Sequence, residues 1–318
     1  MAVPAVPADS AVSAVPAVPT VPTVRAAPLR SKALLVGLNY AGTPQALSGC
    51  INDVTNVSAY LRDAAPGMDI TTITDAGGVS VTRATVLAAL AVLAAASSVT
   101  DFMWVHFSGH GSWVRDASGD ETDRRDETIV LHDGVLTDDQ FSGVLATFAP
   151  TCTVFVVFDS CHSGTMGDMK FAWPHLSAVS AVMSQPRSRV KARVACLSGC
   201  ADGGTSAEIR GAGALTTALL GVLGAPTPGA LQTKNLFEVA AATRAALRAA
   251  RLSQVPLLTS SFNLTRAVSI APPAPLGREL EAEAGETPSA ASAASAAPAP
   301  PAPVRPPPRR RPRYGTWF

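Results

Sequence analysis

The 318-residue sequence has only five cysteines, at irregular intervals. An odd, unpatterned count does not make a disulfide framework and fits a reducing compartment, so the cytoplasm is the expected location. Charge is scarce in both signs: 25 Lys and Arg against 24 Asp and Glu leave a net charge of +1. So even a balance supplies no field to gather nucleic acid or a membrane surface, and neither is expected as a partner. The N-terminal stretch lacks the basic n-region and unbroken apolar core of a signal peptide. The longest apolar run, "ATVLAALAVLAAASSV" at 84–99, is short for a bilayer and rich in Ala, which fits a buried helix. A zinc site is not expected, because "CLSGC" has three intervening residues and no second cysteine pair. A Cys-dependent phosphatase loop would need arginine where Gly167 stands.

Proline, in contrast, is plentiful toward both ends. Residues 1–30 repeat Ala-Val-Pro, and residues 268–318 turn to Pro, Ala and Ser before ending in "RPPPRRRPRYGTWF". Each proline removes a backbone donor and fixes φ, and neither stretch has the apolar surface to offset its ordering entropy. Both are expected to be disordered, leaving one domain of ordinary size at 31–267. The N-terminal stretch is open to three readings: a pro-segment, an inert tail or an adaptor-binding tail. The Arg-rich end is read as a solvated tail or as a site for an acidic partner.

Within 31–267, β-branched apolar runs bounded by turn residues predict six strands, at 32–40, 69–75, 101–109, 153–160, 193–199 and 255–261. Helical patterns lie between them at 52–64, 82–96, 137–148, 213–224 and 235–250. In the first of these, Val54, Val57 and Leu61 share one face, and Asn52 or Asp53 stands near its start. Alternation of this kind predicts an α/β fold: a mainly parallel six-stranded sheet with helices on both faces. Arg115 to Asp139, dense in acids, is expected to be a loop with little to bury.

The informative residues stand at strand ends. "DFMWVHFSGHGS" ends on Ser108-Gly109-His110-Gly111, and "TVFVVFDSCHSG" ends on Asp159-Ser160-Cys161-His162. In such sheets chemistry lies just past the carboxyl ends of the strands. A cysteine at its ordinary pKa is only slightly ionised at neutral pH, and a nearby imidazole supplies what it lacks as a nucleophile. If these strands are neighbours, Cys161 and His110 face one substrate carbonyl. His162 is a poor base, because successive side chains at a strand end diverge. The glycines around both residues let amides approach a reacting oxygen. Asp159 shares the side of Cys161 by the period of two. Asp53 either reaches the same pocket or caps a helix.

These motifs resemble those of the metacaspases, a family of caspase-like cysteine peptidases. "HFSGHGS" and "FDSCHSG" are similar to the family's histidine and cysteine motifs, and "KALLVGLNYAGTPQALSGCINDV" to its opening strand and Gly-Cys-x-Asn-Asp turn. "SGDETDRRDETIVLHDG" resembles its acidic loop, "LSGCADGGTSAE" its post-cleavage loop and "SQVPLLTSS" its closing strand. The resemblance spans nearly all of 31–262 and implies a caspase-like fold. It implies a cysteine endopeptidase working by a Cys-His dyad, in which Cys161 attacks the peptide carbonyl and His110 protonates the leaving amine. The amides of Gly111 and Cys161 then bind the oxyanion. It also implies a P1 pocket for Arg or Lys formed by Asp53 and Asp159 and lined by Cys50 and Ser108, so protein or peptide substrates with a basic P1 residue are the expected partners. Calcium is implied as an activating ion on Asp126, Asp138, Asp139 and Asp168; Arg124 and Arg125 stand where the family carries uncharged residues and could pair with these acids instead. The basic linker "MSQPRSRVKAR" offers Arg187, Arg189 and Lys191 as self-processing sites, in keeping with a zymogen, or is a solvated loop. A monomer is expected. From a different class, the alternative is a non-catalytic caspase-like scaffold acting through its Pro/Arg-rich tails, which retention of both His110 and Cys161 disfavours.

Overall fold

The protein is described by a computed structural model covering residues 29–117, 119, 124–176, 181–184, 188–200, 207–208, 211–264 and 268–273. Its central sheet is built from β1 (Ser31–Gly37), β2 (Asp69–Thr74), β3 (Phe102–Ser108), β7 (Thr153–Asp159), β10 (Arg193–Ser198) and β11 (Leu257–Ser260). These are the six strands that the apolar runs predict. Two-residue strands β8 (Phe171–Ala172) and β9 (Val182–Met183) extend one edge, so among the described residues the sheet has eight strands and not six, in the order β2-β1-β3-β7-β10-β11-β8-β9. The first five in that order run parallel, and the rest are antiparallel.

Strand alternation divides the interior in two. Leu35, Trp104, Phe155 and Leu197 face a layer formed by α1 (Cys50–Ala64), α4 (Ala214–Leu223) and α6 (Leu236–Ala249), through Val54, Leu61, Leu215, Leu219 and Val239. Leu34, Met103, Val105, Val154 and Val156 face α2 (Arg83–Ala96) and α3 (Asp138–Leu145), through Leu90, Leu93, Phe141 and Leu145. Because both faces are covered, the strands are apolar on both sides, as parallel sheets require. A short α5 (Ala230–Thr233) precedes α6. Ile270 and Ala271, beyond the boundary expected at 267, are buried against this layer.

The acidic stretch corrects the expectation of a loop. Beyond β4 (Gly111–Arg115), it contains β5 (Arg125–Leu131) and β6 (Gly134–Thr137), which form a separate three-stranded antiparallel sheet with β4. Ile129, Leu131 and Leu136 anchor that sheet to the core beside α2 and α3. The acids hid an alternating apolar face that packing alone brings out.

α1 begins at Cys50, two residues earlier than expected. Its first amides are satisfied from a distance: Cys50 N and Ile51 N donate to Asn39 Oδ1 at 2.9 and 3.2 Å. Neither Asn52 nor Asp53 caps it, and the orphan donors of a helix start have found a partner from the loop after β1.

Candidate active site

Register explains why chemistry collects at one edge. Gly37 pairs with Ser108 across β1 and β3, and Ser108 with Asp159 across β3 and β7, so three strand ends stop in a row. Gly109-His110 and Ser160-Cys161 leave the sheet side by side. His110 and Cys161 line one cavity of about 110 Å³, together with Cys50, Ser108, Asp159 and Glu208. Cys161 is the half-exposed cysteine, while the other four are buried. Burial holds the thiols of Cys50 and Cys196 well above the usual range, and pushes that of Cys200 up to about 11. Gly111 is required by close approach: a Cβ there would lie 1.8 Å from the carbonyl oxygen of Cys161. His162 has φ of +46° in the turn after Cys161 and does not line the cavity.

The imidazole of His110 is held by Gln45 and by the Tyr40 ring. Nε2 lies 2.6 Å from the carbonyl oxygen of Gln45, and since that oxygen only accepts, Nε2 carries the proton. Nδ1 of the neutral ring is then the nitrogen that accepts one. The Tyr40 ring stacks on the imidazole at 4.7 Å, and the Tyr40 hydroxyl accepts from His110 N and donates to Val130 O, each at 2.9 Å. Tyr40 is itself fixed by Asp75, whose carboxylate accepts from the amides of Asn39 and Tyr40 at 2.9 and 2.6 Å. Sequence reasoning missed Tyr40 and Gln45; neither carries a signal apart from its place in the loop after β1.

The acids form the wall and what lies behind it. Asp159 lines the cavity; Asp53, 1 % exposed, sits directly behind. Asp53 accepts from Ser108 Oγ at 2.6 Å and from Gly213 N at 2.8 and 3.0 Å. Asp159 Oδ2 accepts from Thr216 N and Thr216 Oγ1, both at 2.9 Å. Both carboxylates therefore sit at the N-terminus of α4, where amides and the helix dipole favour negative charge. That is not enough for Asp53: burial and the neighbouring Asp159 push its carboxyl up to about 7, although the Ser108 and Gly213 bonds pull the other way. Glu208, a third acid, also went unrecognised. Its carboxylate accepts from Ser48 N, Ser48 Oγ and Gly49 N at 3.0, 3.0 and 2.8 Å, tying its loop to the head of α1.

The family model for the metacaspase peptidase C14 domain matches residues 31–170, which hold His110, Cys161, Asp53 and Asp159. Residues 31–170 thus resemble a metacaspase peptidase C14 domain. Metacaspase-1B of Aspergillus oryzae is 38% identical over 167 residues, 49% of this chain and 39% of the relative. Metacaspase-1 of Cryptococcus neoformans is 35% identical over 179 residues, 53% of this chain and 38% of the relative. The chain thus spans about two-fifths of the length of these curated relatives. Among solved structures, protein GSU0716 from Geobacter sulfurreducens superposes with a TM-score of 0.53 at 26% identity, covering 76% of this chain and 99% of that one.

A second acidic cluster lies beside α3. Asp138 is buried and faces Asp168; burial, then the charge of Asp168, raises the Asp138 carboxyl far above its usual range. Its Oδ2 accepts from Glu127 N at 2.8 Å, and Asp168 Oδ2 accepts from Ser142 Oγ at 2.7 Å. Glu127, not anticipated, is buried and accepts from Thr165 Oγ1. Asp126 is buried next to it on β5 and Asp139 follows Asp138 on α3. Among the described residues no three acidic, His or Cys groups are gathered closely enough to hold a metal. The donors are oxygens only, the type calcium takes, and a dication beside Asp138 would favour its ionised form. Residues 120–123 lie outside the described residues, as does Arg187. Arg189 and Lys191 are exposed, with Val190 and Ala192 buried between and after them. No helix among the described residues is long and apolar enough to cross a membrane.

Proposed function

We propose that this domain is a cysteine endopeptidase that cleaves after Arg or Lys, is stimulated by calcium and processes itself. One observation carries the reading: a half-exposed cysteine and an oriented histidine share a cavity whose wall is Asp159, with Asp53 behind it.

The substrate's cationic P1 side chain enters toward Asp159, where a charge-assisted pair forms out of bulk water and favours the forked guanidinium of Arg. Cys161 loses its proton to His110 Nδ1 and its sulfur attacks the scissile carbonyl. The imidazolium that results keeps its Nε2 proton on Gln45 O, which stabilises the cation and holds the ring for the return transfer. His110 then gives its Nδ1 proton to the leaving amine, and water hydrolyses the acyl-enzyme. Backbone amides of Gly111 and Cys161 would face the oxyanion. When bound, calcium supplies positive charge that offsets repulsion among Asp126, Asp138, Asp139 and Asp168. Asp168 lies seven residues beyond Cys161, so relief there would order the segment that follows the nucleophile. In the basic linker, Arg189 suits self-cleavage better than Lys191, whose flanking residues are packed. Five free thiols, four of them buried, favour a reducing compartment such as the cytoplasm.

The deciding experiment compares peptides with Arg, Lys and Asp at P1, with calcium and with EDTA, using the wild-type protein, Cys161→Ala and His110→Ala. Cleavage after Arg and Lys is expected, lost in both variants and reduced by EDTA. Preference for Asp overturns the pocket; rates indifferent to EDTA discard the calcium switch.

A further inference from the structure

Beneath the P1 wall lies a polar chain that the reaction itself does not use. His106 stands in the middle of β3, wholly buried, two residues before Ser108. Its Nε2 lies 3.1 Å from Thr216 Oγ1 on α4, and that hydroxyl lies 2.9 Å from Asp159 Oδ2. Exposure along this line is 0% at His106, 1% at Thr216 and 4% at Asp159, so water does not substitute for any link.

Donor and acceptor rules fix the direction. A carboxylate only accepts, so the single hydroxyl proton of Thr216 is committed to Asp159. The hydroxyl oxygen must then accept from His106, which places the imidazole proton on Nε2 and leaves Nδ1 bare. Nδ1 has no hydrogen-bond partner. Burial pushes the His106 pKa down to about 3, so the ring is neutral and adds no cation to compete with a basic side chain in the pocket.

We propose that Thr216 and His106 are positioning residues for P1 recognition, holding the Asp159 carboxylate in the orientation that receives a cationic side chain. Two bonds from Thr216, one from its amide and one from its hydroxyl, converge on one oxygen and remove the carboxylate's freedom to rotate. His106 aims the hydroxyl, because a Thr216 oxygen that accepts from Nε2 can turn its own proton only toward Asp159. A buried imidazole with an unsatisfied nitrogen costs folding free energy that an aliphatic side chain would not. Orientation of Asp159 is what that cost maintains. The inference rests on the assignment of Asp159 to the P1 pocket.

The test uses the full chain with calcium, measuring kcat and KM on Arg-P1 peptides for wild type, Thr216→Val, Thr216→Ser and His106→Leu. The rate of Cys161 alkylation by iodoacetamide and the melting temperature are measured alongside. Thr216→Val keeps the shape and the amide but loses the hydroxyl. It is expected to raise KM about tenfold, with kcat and alkylation nearly unchanged. Thr216→Ser restores the hydroxyl and recovers wild-type KM, and His106→Leu gives a smaller rise in KM of the same kind. A wild-type KM in Thr216→Val, or a serine variant no better than the valine one, overturns the positioning role while leaving the peptidase reading intact. If the wild-type protein shows no preference for Arg over Asp, the pocket assignment fails and this inference falls with it.

Discussion

Asp53 gives a prediction whose size follows from the structure. Its carboxyl, ordinarily near 3.8, is raised to about 7 by burial and by Asp159. The folded state therefore binds this proton more tightly than the unfolded chain does. Stability from this group is fully present below about pH 4 and is lost as pH rises through 7. Taking the two pKa values as they stand, a change from pH 5 to pH 8 removes about 2–3 kcal/mol of folding free energy through Asp53 alone. Asp53→Asn keeps an oxygen that accepts from Ser108 and Gly213, but it has no proton to lose. Urea unfolding at both pH values, in EDTA and on a Cys161→Ala background that prevents self-cleavage, isolates the effect. Fluorescence of buried Trp104 and Trp173 reports it. Other groups titrating in the same window cancel in the comparison. The loss between pH 5 and 8 should shrink by about 2–3 kcal/mol in the Asn variant. Equal pH dependence in the two proteins would falsify the claim that burial and Asp159 raise the Asp53 carboxyl behind the pocket.

Three further outcomes are expected. Gly213→Ala would place a Cβ 2.2 Å from Asp159 Oδ2 and 2.6 Å from Asp53 Oδ2, and should cut kcat/KM for Arg-P1 peptides at least about tenfold while circular dichroism stays the same. Retained activity would show that the acids do not need their present positions. Tyr40→Phe keeps the ring on His110 but removes the hydroxyl joining His110 N to Val130 O; a loss of about 1–2 kcal/mol of stability and a fall in kcat are expected. An unchanged kcat would remove Tyr40 from the support of the histidine. Asp138→Asn removes a carboxyl whose ionised form burial and Asp168 disfavour, so it should leave stability in EDTA nearly unchanged and blunt stabilisation by calcium, both readable from melting curves with and without the ion.

Much of this was legible in the residues. Strands β1, β2, β3, β7, β10 and β11 are local apolar runs, and each was found within a few residues of its observed bounds. The placement of His110 and Cys161 followed from the rule that parallel strands deliver chemistry at their carboxyl ends. The acidic stretch was misread because its acids outnumber its apolar residues. Only pairing with β4 and packing against α2 and α3 turn Ile129, Leu131 and Leu136 into a buried face.

The primary sequence by itself determined where strands stop and which reactive groups stand there, because strand periodicity and turn residues act over a few positions. Partners for those groups were decided by the tertiary structure. Gln45 meets His110 from 65 residues away, Thr216 meets Asp159 across 57, and Glu208 reaches Gly49 across 159. Hydrogen bonds over such separations depend on sheet order and helix placement, which no local pattern encodes. The N-terminus of α4 holds both acids in place only because β3, β7 and α1 bring Asp159 and Asp53 to it.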